Sequence, residues 1–444
     1  MRILVLSIAT LWFVGCSSIE PTVTKTTPVV DKKDLNDTIV DLTHFPQTSS
    51  PYLNKIQLNQ AKKSQVSYEK HYFRVWNKIP KDLKQDAMWP FLSYVYDEMY
   101  GANLKLIEKS TFKQLKDNAN FKEYKTLNKR AISLKHLNIR AFPTQTPMFR
   151  DPTLAGEGFP FDYMQNSTVS ANKPLRISHY SKDKQWAYIF TSFTGGWVKT
   201  NEIVEIDQQY TKLWQKAKQI FLIKDNIPLY NEKGVFLFGS KVGMMLPLIK
   251  EQKDSYIVLS VSSYKNNQAN YHQTKISKKI AHKGVMRFDK KNVQAIFDEV
   301  GLSKYGWGGM YGQRDCSSSI RDIFTPFGVW LPRNSYQQSK VGKILKLEGL
   351  SDKEKIKQIK KHALPFRTLL YKKGHVLIYA GTYDNEIVAF HNVWGVKTLQ
   401  EAKEGRKVIG KSVYSSLKLG KGITYYDEES EILRNLLSMN ILID

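Results

Sequence analysis

Cysteine is nearly absent from this chain: its 444 residues hold two, Cys16 and Cys316. A disulfide framework is therefore excluded. Acidic residues are the second shortage, 41 against 67 basic ones, for a net charge of +26. Such an excess suits an anionic partner such as nucleic acid, an acidic membrane surface or an acidic polymer, although lysines on solvated faces account for it equally well. No stretch matches a nucleic-acid module, so no nucleic-acid partner is expected. Long apolar runs are missing too. Beyond the N-terminus none reaches about 18 residues, so no spanning helix is expected there. What is present is ordinary for folded protein, with 41% hydrophobic and 12% aromatic residues, and the length calls for several domains rather than one core.

The first residues read as a targeting segment. Arg2 supplies a positive start, Ile3 to Val14 is apolar but too short to span, and the stretch ends at Phe13-Val14-Gly15-Cys16. A small residue followed by Cys at such a place resembles a bacterial lipoprotein signal, in which the Cys is lipidated and begins the mature chain. Phe13 stands where such signals usually carry Leu. A buried N-terminal strand is the alternative. Ser17, not an acidic residue, follows the Cys. The resemblance then implies a lipid-anchored protein on the periplasmic side of the envelope, at the outer membrane. With Cys16 lipidated, Cys316 is an exported thiol without a partner, which points to catalysis; a buried inert thiol is the alternative.

Composition divides the rest. Residues 16–50, rich in Thr, Ser, Pro, Lys and Asp, read as a flexible tether after a signal at 1–15. Residues 51–132 carry helical patterning. There Leu92, Tyr96, Met99 and Tyr100 fall at i, i+4, i+7 and i+8, with Gly101 as a stop. Residues 133–206 and 207–288 break into short β-type runs separated by turn residues, the texture of two small barrels. In the second, Pro247 predicts an edge strand because it lacks an N–H for the ladder.

From 289 to 444 the pattern is α+β. Val293, Ile296, Phe297 and Val300 mark an amphipathic helix ending at Gly301, and Cys316, Ile320, Ile323 and Phe324 mark a second. Ser351 with Glu354 makes a capping box for a third, and β-type runs follow at 375–380 and 386–394.

Cys316 opens its helix, where free N–H groups and the helix dipole favour a thiolate and the backbone can serve an oxyanion. His375 begins the first late strand and His391 lies in the second. A turn near Tyr383 would pair these strands and put both rings on one face, one to take the thiol proton and one to orient it. As a lone residue, each histidine is more often a satisfied structural one. The spacing of Cys316, His375 and His391 fits no familiar zinc pattern, so neither metal nor other cofactor is expected.

Four segments carry a family likeness. Tyr305-Gly306-Trp307-Gly308-Gly309, Asp315-Cys316-Ser317, Leu331-Pro332-Arg333-Asn334-Ser335-Tyr336-Gln337, and Gly374-His375-Val376 with Tyr379 and Gly381 resemble, in order and spacing, the NlpC-type endopeptidases. These are papain-like cysteine peptidases of the bacterial cell wall. Upstream, Tyr72-Phe73-Arg74-Val75-Trp76 resembles the helical stabilising region of longer members. Pro160-Phe161-Asp162-Tyr163-Met164-Gln165-Asn166-Ser167 and Gly196-Trp197-Val198 resemble their first SH3-like domain. The resemblance implies a multidomain fold: a helical N-terminal region, two SH3-like barrels, and an α+β papain-like catalytic domain.

It also implies roles. Cys316 is the nucleophile, His375 the base, His391 the orienting group, and Tyr305 an oxyanion donor. Asp315 and Ser335 match positions that grip the free amine of a stem peptide, with a plain helix N-terminal charge as the alternative for Asp315. Asp162 and Tyr163 are candidates for the barrel wall that restricts the cleft, or for a turn that packs the barrel. Ser318 replaces the family's usual Gly. The implied reaction is cleavage of the γ-D-glutamyl–L-diamino acid bond in murein stem peptides. A non-catalytic wall-binding lipoprotein and an acyl transferase on the same scaffold are the rivals.

Overall fold

Period-two burial organises the middle of the chain. In a computed structural model that describes residues 38–58, 65–79, 98–263 and 268–443, seven strands build the first sheet. They are β1 (Lys129–Ser133), β2 (Leu137–Arg140), β3 (Gln165–Val169), β4 (Pro174–Tyr180), β5 (Trp186–Phe190), β6 (Gly195–Lys199) and β7 (Ile203–Glu205), in the order β3-β2-β6-β5-β4-β1-β7. Along β5, Ala187 and Ile189 point into the barrel beside Ile139, Leu175 and Val198. Trp186, Tyr188 and Phe190 point the other way and pack with Tyr72, Trp76 and Trp214. Both faces are covered, which is why this strand reads as a continuous apolar run.

The helical segment is that cover. The helix Gln65–Tyr72 and the turn Arg74–Asn77 lay Trp76, fully buried, against the barrel, where its Nε1 donates to Ala131 O at 3.0 Å. Helical patterning holds for Lys109–Asn118 but not to residue 132, because β1 already begins at Lys129. Met99 and Tyr100 do not continue a helix; Tyr100 makes extended bridges to Leu106 and Phe149. The expected lipidation site Cys16, the signal segment, most of the tether, Leu92 and Tyr96 lie outside the described residues.

The second β region comprises β8 (Gln219–Leu222), β9 (Pro228–Tyr230), β10 (Phe236–Gly239), β11 (Met245–Glu251), β12 (Ser255–Ser263), β13 (Ala269–Ser277) and β14 (Ala281–Lys283). Its main sheet runs β13-β12-β11-β8-β14, with β9 and β10 as a separate hairpin. This corrects the edge-strand expectation for Pro247, since β11 lies inside the sheet. Residues 245–247 of β11 pair with β8, and from Leu248 onward the pairing is with β12. Pro247 sits at that handover, where a missing N–H costs little.

The C-terminal region packs the helices Lys290–Gly301 and Cys316–Phe324 on a six-stranded sheet. Its strands are β15 (Lys343–Lys346), β16 (Thr368–Lys372), β17 (His375–Tyr383), β18 (Glu386–Gln400), β19 (Lys403–Ser416) and β20 (Leu436–Ile441), in the order β15-β20-β16-β17-β18-β19. Ile320, Ile323 and Phe324 join Phe297, Val376, Ile378 and Phe390 in one core. Each such side chain contributes about 1.5–3 kcal/mol by leaving water. The turn between β17 and β18 is Asp384-Asn385, one step beyond Tyr383, and both residues have positive φ. That is the two-residue turn whose twist suits a hairpin, and Asp and Asn tolerate it. Among the described residues no helix is long and apolar enough to cross a membrane.

Candidate active site

Asp315 is built as an N-cap. Its Oδ1 accepts from Ser318 N at 2.8 Å, while Ser318 Oγ accepts from Asp315 N at 2.9 Å, a closed capping box. Ser318 therefore does work that the Gly usual in the resembled family cannot. The cap starts the helix at Cys316 and leaves the thiol half-buried at its mouth.

The imidazoles meet across the hairpin. His375 Nε2 lies 2.8 Å from His391 Nδ1, and His391 Nε2 lies 2.9 Å from Ser415 Oγ on β19. The Ser415 hydroxyl donates its proton to Ser416 O at 2.9 Å. With the Ser415 proton on Ser416 O, His391 donates from Nε2, accepts at Nδ1, and so takes the Nε2 proton of His375. The Nδ1 lone pair of His375 is left over, on the residue next to Val376, whose amide reaches the Cys316 thiol. Sequence reasoning reached both histidines but not Ser415, because nothing in the run Val413-Tyr414-Ser415-Ser416 distinguishes it before β19 is paired with β18.

Burial sets the charge state. It pushes the Cys316 thiol up to about 12, with Asp315 adding to the rise. It drives His375 down to about 3, with Lys372 adding to the fall. Both shifts run toward the neutral forms, thiol and imidazole, and so against the thiolate that the helix start favours. Desolvation outweighs the dipole here. Moving the proton from sulfur to imidazole creates no net charge, so the coupled transfer costs less than either ionisation alone.

Arg333 ties the site to the first barrel. It donates from Nη2 to Asp315 Oδ2 at 2.6 Å, from Nη1 to Ser317 Oγ at 2.8 Å, and from Nε to Ser167 Oγ of β3 at 2.6 Å. Asp315 is consequently an ion-paired carboxylate; its cap and Arg333 bonds leave it one acceptor direction, on Oδ2. The Arg333 charge holds it below the ordinary carboxylate range against its burial.

Cys316, Tyr305, Asp315 and Ser335 line one side of a cleft of about 780 Å³, and Tyr163 lines the side built from the barrel. Tyr305 packs against Trp394 at 5.7 Å, and burial raises its phenol far above 10, so it stays a donor. Tyr163 donates to Glu157 at 2.9 Å. Asp162 does not face the cleft. It is buried, paired with Arg140 at 2.6 Å, and accepts from Met148 N and Met164 N, so it secures the turn that presents Tyr163. Trp307 donates to Asp162 O at 3.0 Å.

The glycines of the Trp307 loop permit this apposition. A Cβ on Gly308 would fall 2.6 Å from Gln165 O, and one on Gly309 2.4 Å from Thr168 Oγ1; both residues have positive φ. Only glycine lets the loop lie against β3.

A helix-borne thiol beside histidines of an antiparallel sheet is the arrangement of papain-like cysteine peptidases. Four family descriptions match along the chain. They are the NLPC_P60 stabilising domain at residues 4–124, an SH3 domain of SH3b1 type at 147–199, an SH3 domain of SH3b2 type at 207–253, and the NlpC/P60 family at 301–415. The chain belongs to the NlpC/P60 family, a cysteine peptidase family, and carries its stabilising domain and two SH3b domains. Among solved structures it is similar to an NlpC/P60 endopeptidase from Photobacterium damselae subsp. piscicida. The two are 22% identical over 90% of this chain and 97% of that one, with a TM-score of 0.76, a likeness of fold. An NlpC/P60 family protein from Bacillus cereus is 14% identical over 71% of this chain and 100% of its own, with a TM-score of 0.46. No curated protein matches.

Proposed function

We propose that the protein is a lipid-anchored cysteine endopeptidase that cleaves the γ-D-glutamyl–L-diamino acid bond of murein stem peptides. The observation that carries this reading is the chain His375–His391–Ser415, which leaves a basic nitrogen beside the residue that touches the Cys316 thiol. Cys316, His375, His391 and Tyr305 act as nucleophile, base, orienting group and oxyanion donor.

His375 Nδ1 takes the thiol proton as sulfur attacks the scissile carbonyl carbon. The developing oxyanion is met by the Cys316 N–H and the Tyr305 hydroxyl. The C–N bond breaks as His375 returns its proton to the leaving amine, and a thioester remains. Water, deprotonated by the same imidazole, then releases the γ-D-glutamyl acid and the free thiol. Asp315, through its remaining acceptor direction, and Ser335 receive the free amine of a short stem peptide. Tyr163, on the barrel side, limits how much chain fits beyond it.

Lipidation at Cys16 would hold the protein on the periplasmic side of the outer membrane. The basic surface would add attraction to anionic wall or membrane, weakened by salt. The test is mass spectrometry of murein tripeptide and of cross-linked muropeptides after treatment with wild type and Cys316→Ala. Products ending in D-Glu, formed by wild type and absent with the variant, support the reading. New amide-linked products indicate acyl transfer, and inactivity of both proteins indicates a wall-binding role.

A further inference from the structure

Behind the catalytic helix, on the side away from Cys316, lies a small cavity of about 40 Å³ lined from four parts of the chain. Tyr68 comes from the helical segment, Lys173 and Phe193 from the first barrel, Lys241 from the second, and Arg321 and Asp322 from the helix Cys316–Phe324. A space of this size holds about three waters or one small oxyanion.

Its charges do not balance. Lys173 is 8% exposed, and among the described residues no carboxylate lies within ion-pair distance of it. What it has is two ring faces, Tyr72 at 3.6 Å and Phe193 at 5.7 Å. Arg321 stacks on the same Phe193 at 3.9 Å, reaches Asp322 only through Nη2 at 3.4 Å, and leaves Nη1 buried without a hydrogen-bond partner. Lys241 contacts one carbonyl, Gly312 O, at 3.3 Å. The nearby carboxylates are committed elsewhere: Arg314 takes Asp225 as well as Asp322, at 2.8 Å in the second case. Two lysines and an arginine thus line a small polar space with one shared carboxylate. Burying uncompensated charge costs several kcal/mol, so such a site gains by taking up an anion.

We propose that this cavity is a binding site for a small inorganic oxyanion of the phosphate class, held by Lys173, Lys241 and Arg321. The bound ion joins the helical segment, both barrels and the nucleophile helix at one point. Its small volume favours a free ion over a phosphate group on a polymer.

The full chain is titrated with sodium phosphate and, at matched ionic strength and pH 7, with sodium chloride, while thermal unfolding is followed. Equilibrium dialysis with radiolabelled phosphate gives the stoichiometry. The expected result is a saturable, phosphate-specific rise in Tm of roughly 2–4 °C, with about one phosphate per chain. Lys173→Met should abolish that rise while leaving Tm in chloride no lower than in wild type. Lys241→Met, at a less buried position, should weaken phosphate binding roughly tenfold or more. Identical phosphate and chloride titrations in wild type, no bound phosphate in dialysis, or an undiminished rise in Lys241→Met would overturn the proposal.

Discussion

His391 stands between His375 and Ser415 with hydrogen bonds of 2.8 Å and 2.9 Å, and the direction of the second decides the direction of the first. With the Ser415 proton directed at Ser416 O, His391 donates to Ser415. Replacing Ser415 by Ala removes this tautomer lock. The expected loss is roughly 10–100-fold in kcat with little change in KM, and His391→Ala should lose more. Steady-state kinetics on a stem tripeptide reads both.

Tyr305→Phe removes one hydroxyl and little volume. If that hydroxyl meets the oxyanion, kcat should fall by about 10²-fold while KM holds. A change confined to KM would instead make Tyr305 a ground-state contact.

Burial of the two reacting groups gives stability a pH dependence with a definite sign. His375 is depressed from 6.5 to about 3 in the fold, so between these values the unfolded chain binds the extra proton. Stability is full above pH 6.5 and falls on acidification toward 3. Cys316 is raised from 9.0 to about 12, so its contribution is full below 9 and is lost as pH rises toward 12. Urea unfolding across pH 4–7 and 8–11 should show both slopes, the acid one reduced in His375→Gln and the alkaline one reduced in Cys316→Ala, the rest of the alkaline slope coming from buried phenols such as Tyr305.

Arg333 holds a buried carboxylate, the Ser317 hydroxyl and the first barrel at once. Arg333→Met leaves Asp315 buried without its counter-charge, at a cost of about 3–5 kcal/mol. Arg333→Lys should not restore it, because a single ammonium cannot span Asp315 and Ser167. The midpoint of denaturant unfolding distinguishes the three proteins.

Gly308→Ala puts a methyl group against Gln165 O in a positive-φ conformation. Destabilisation of about 2 kcal/mol or more is expected. Activity should fall further than stability requires, because the loop would lift from the barrel that walls the cleft; specific activity of the folded fraction tests this.

Local chemistry was legible in the chain. The spacing of Cys316, Ile320, Ile323 and Phe324 and the cap Asp315 are properties of one segment, so they declare a helix and its start without outside help. The hairpin of His375 and His391 is nearly as local, since Asp384-Asn385 alone sets the turn. Everything that depends on distant partners was decided by tertiary structure. Ser415 joins the histidines only because β19 pairs with β18, and Asp162 turns inward only because Arg140 waits there. Pro247 is tolerated inside a sheet because its strand changes partners at that residue. The charge state of Cys316 belongs to the same group: a sequence shows the helix dipole that favours a thiolate, whereas the burial that opposes it exists only once the sheet and loops have packed beside the sulfur.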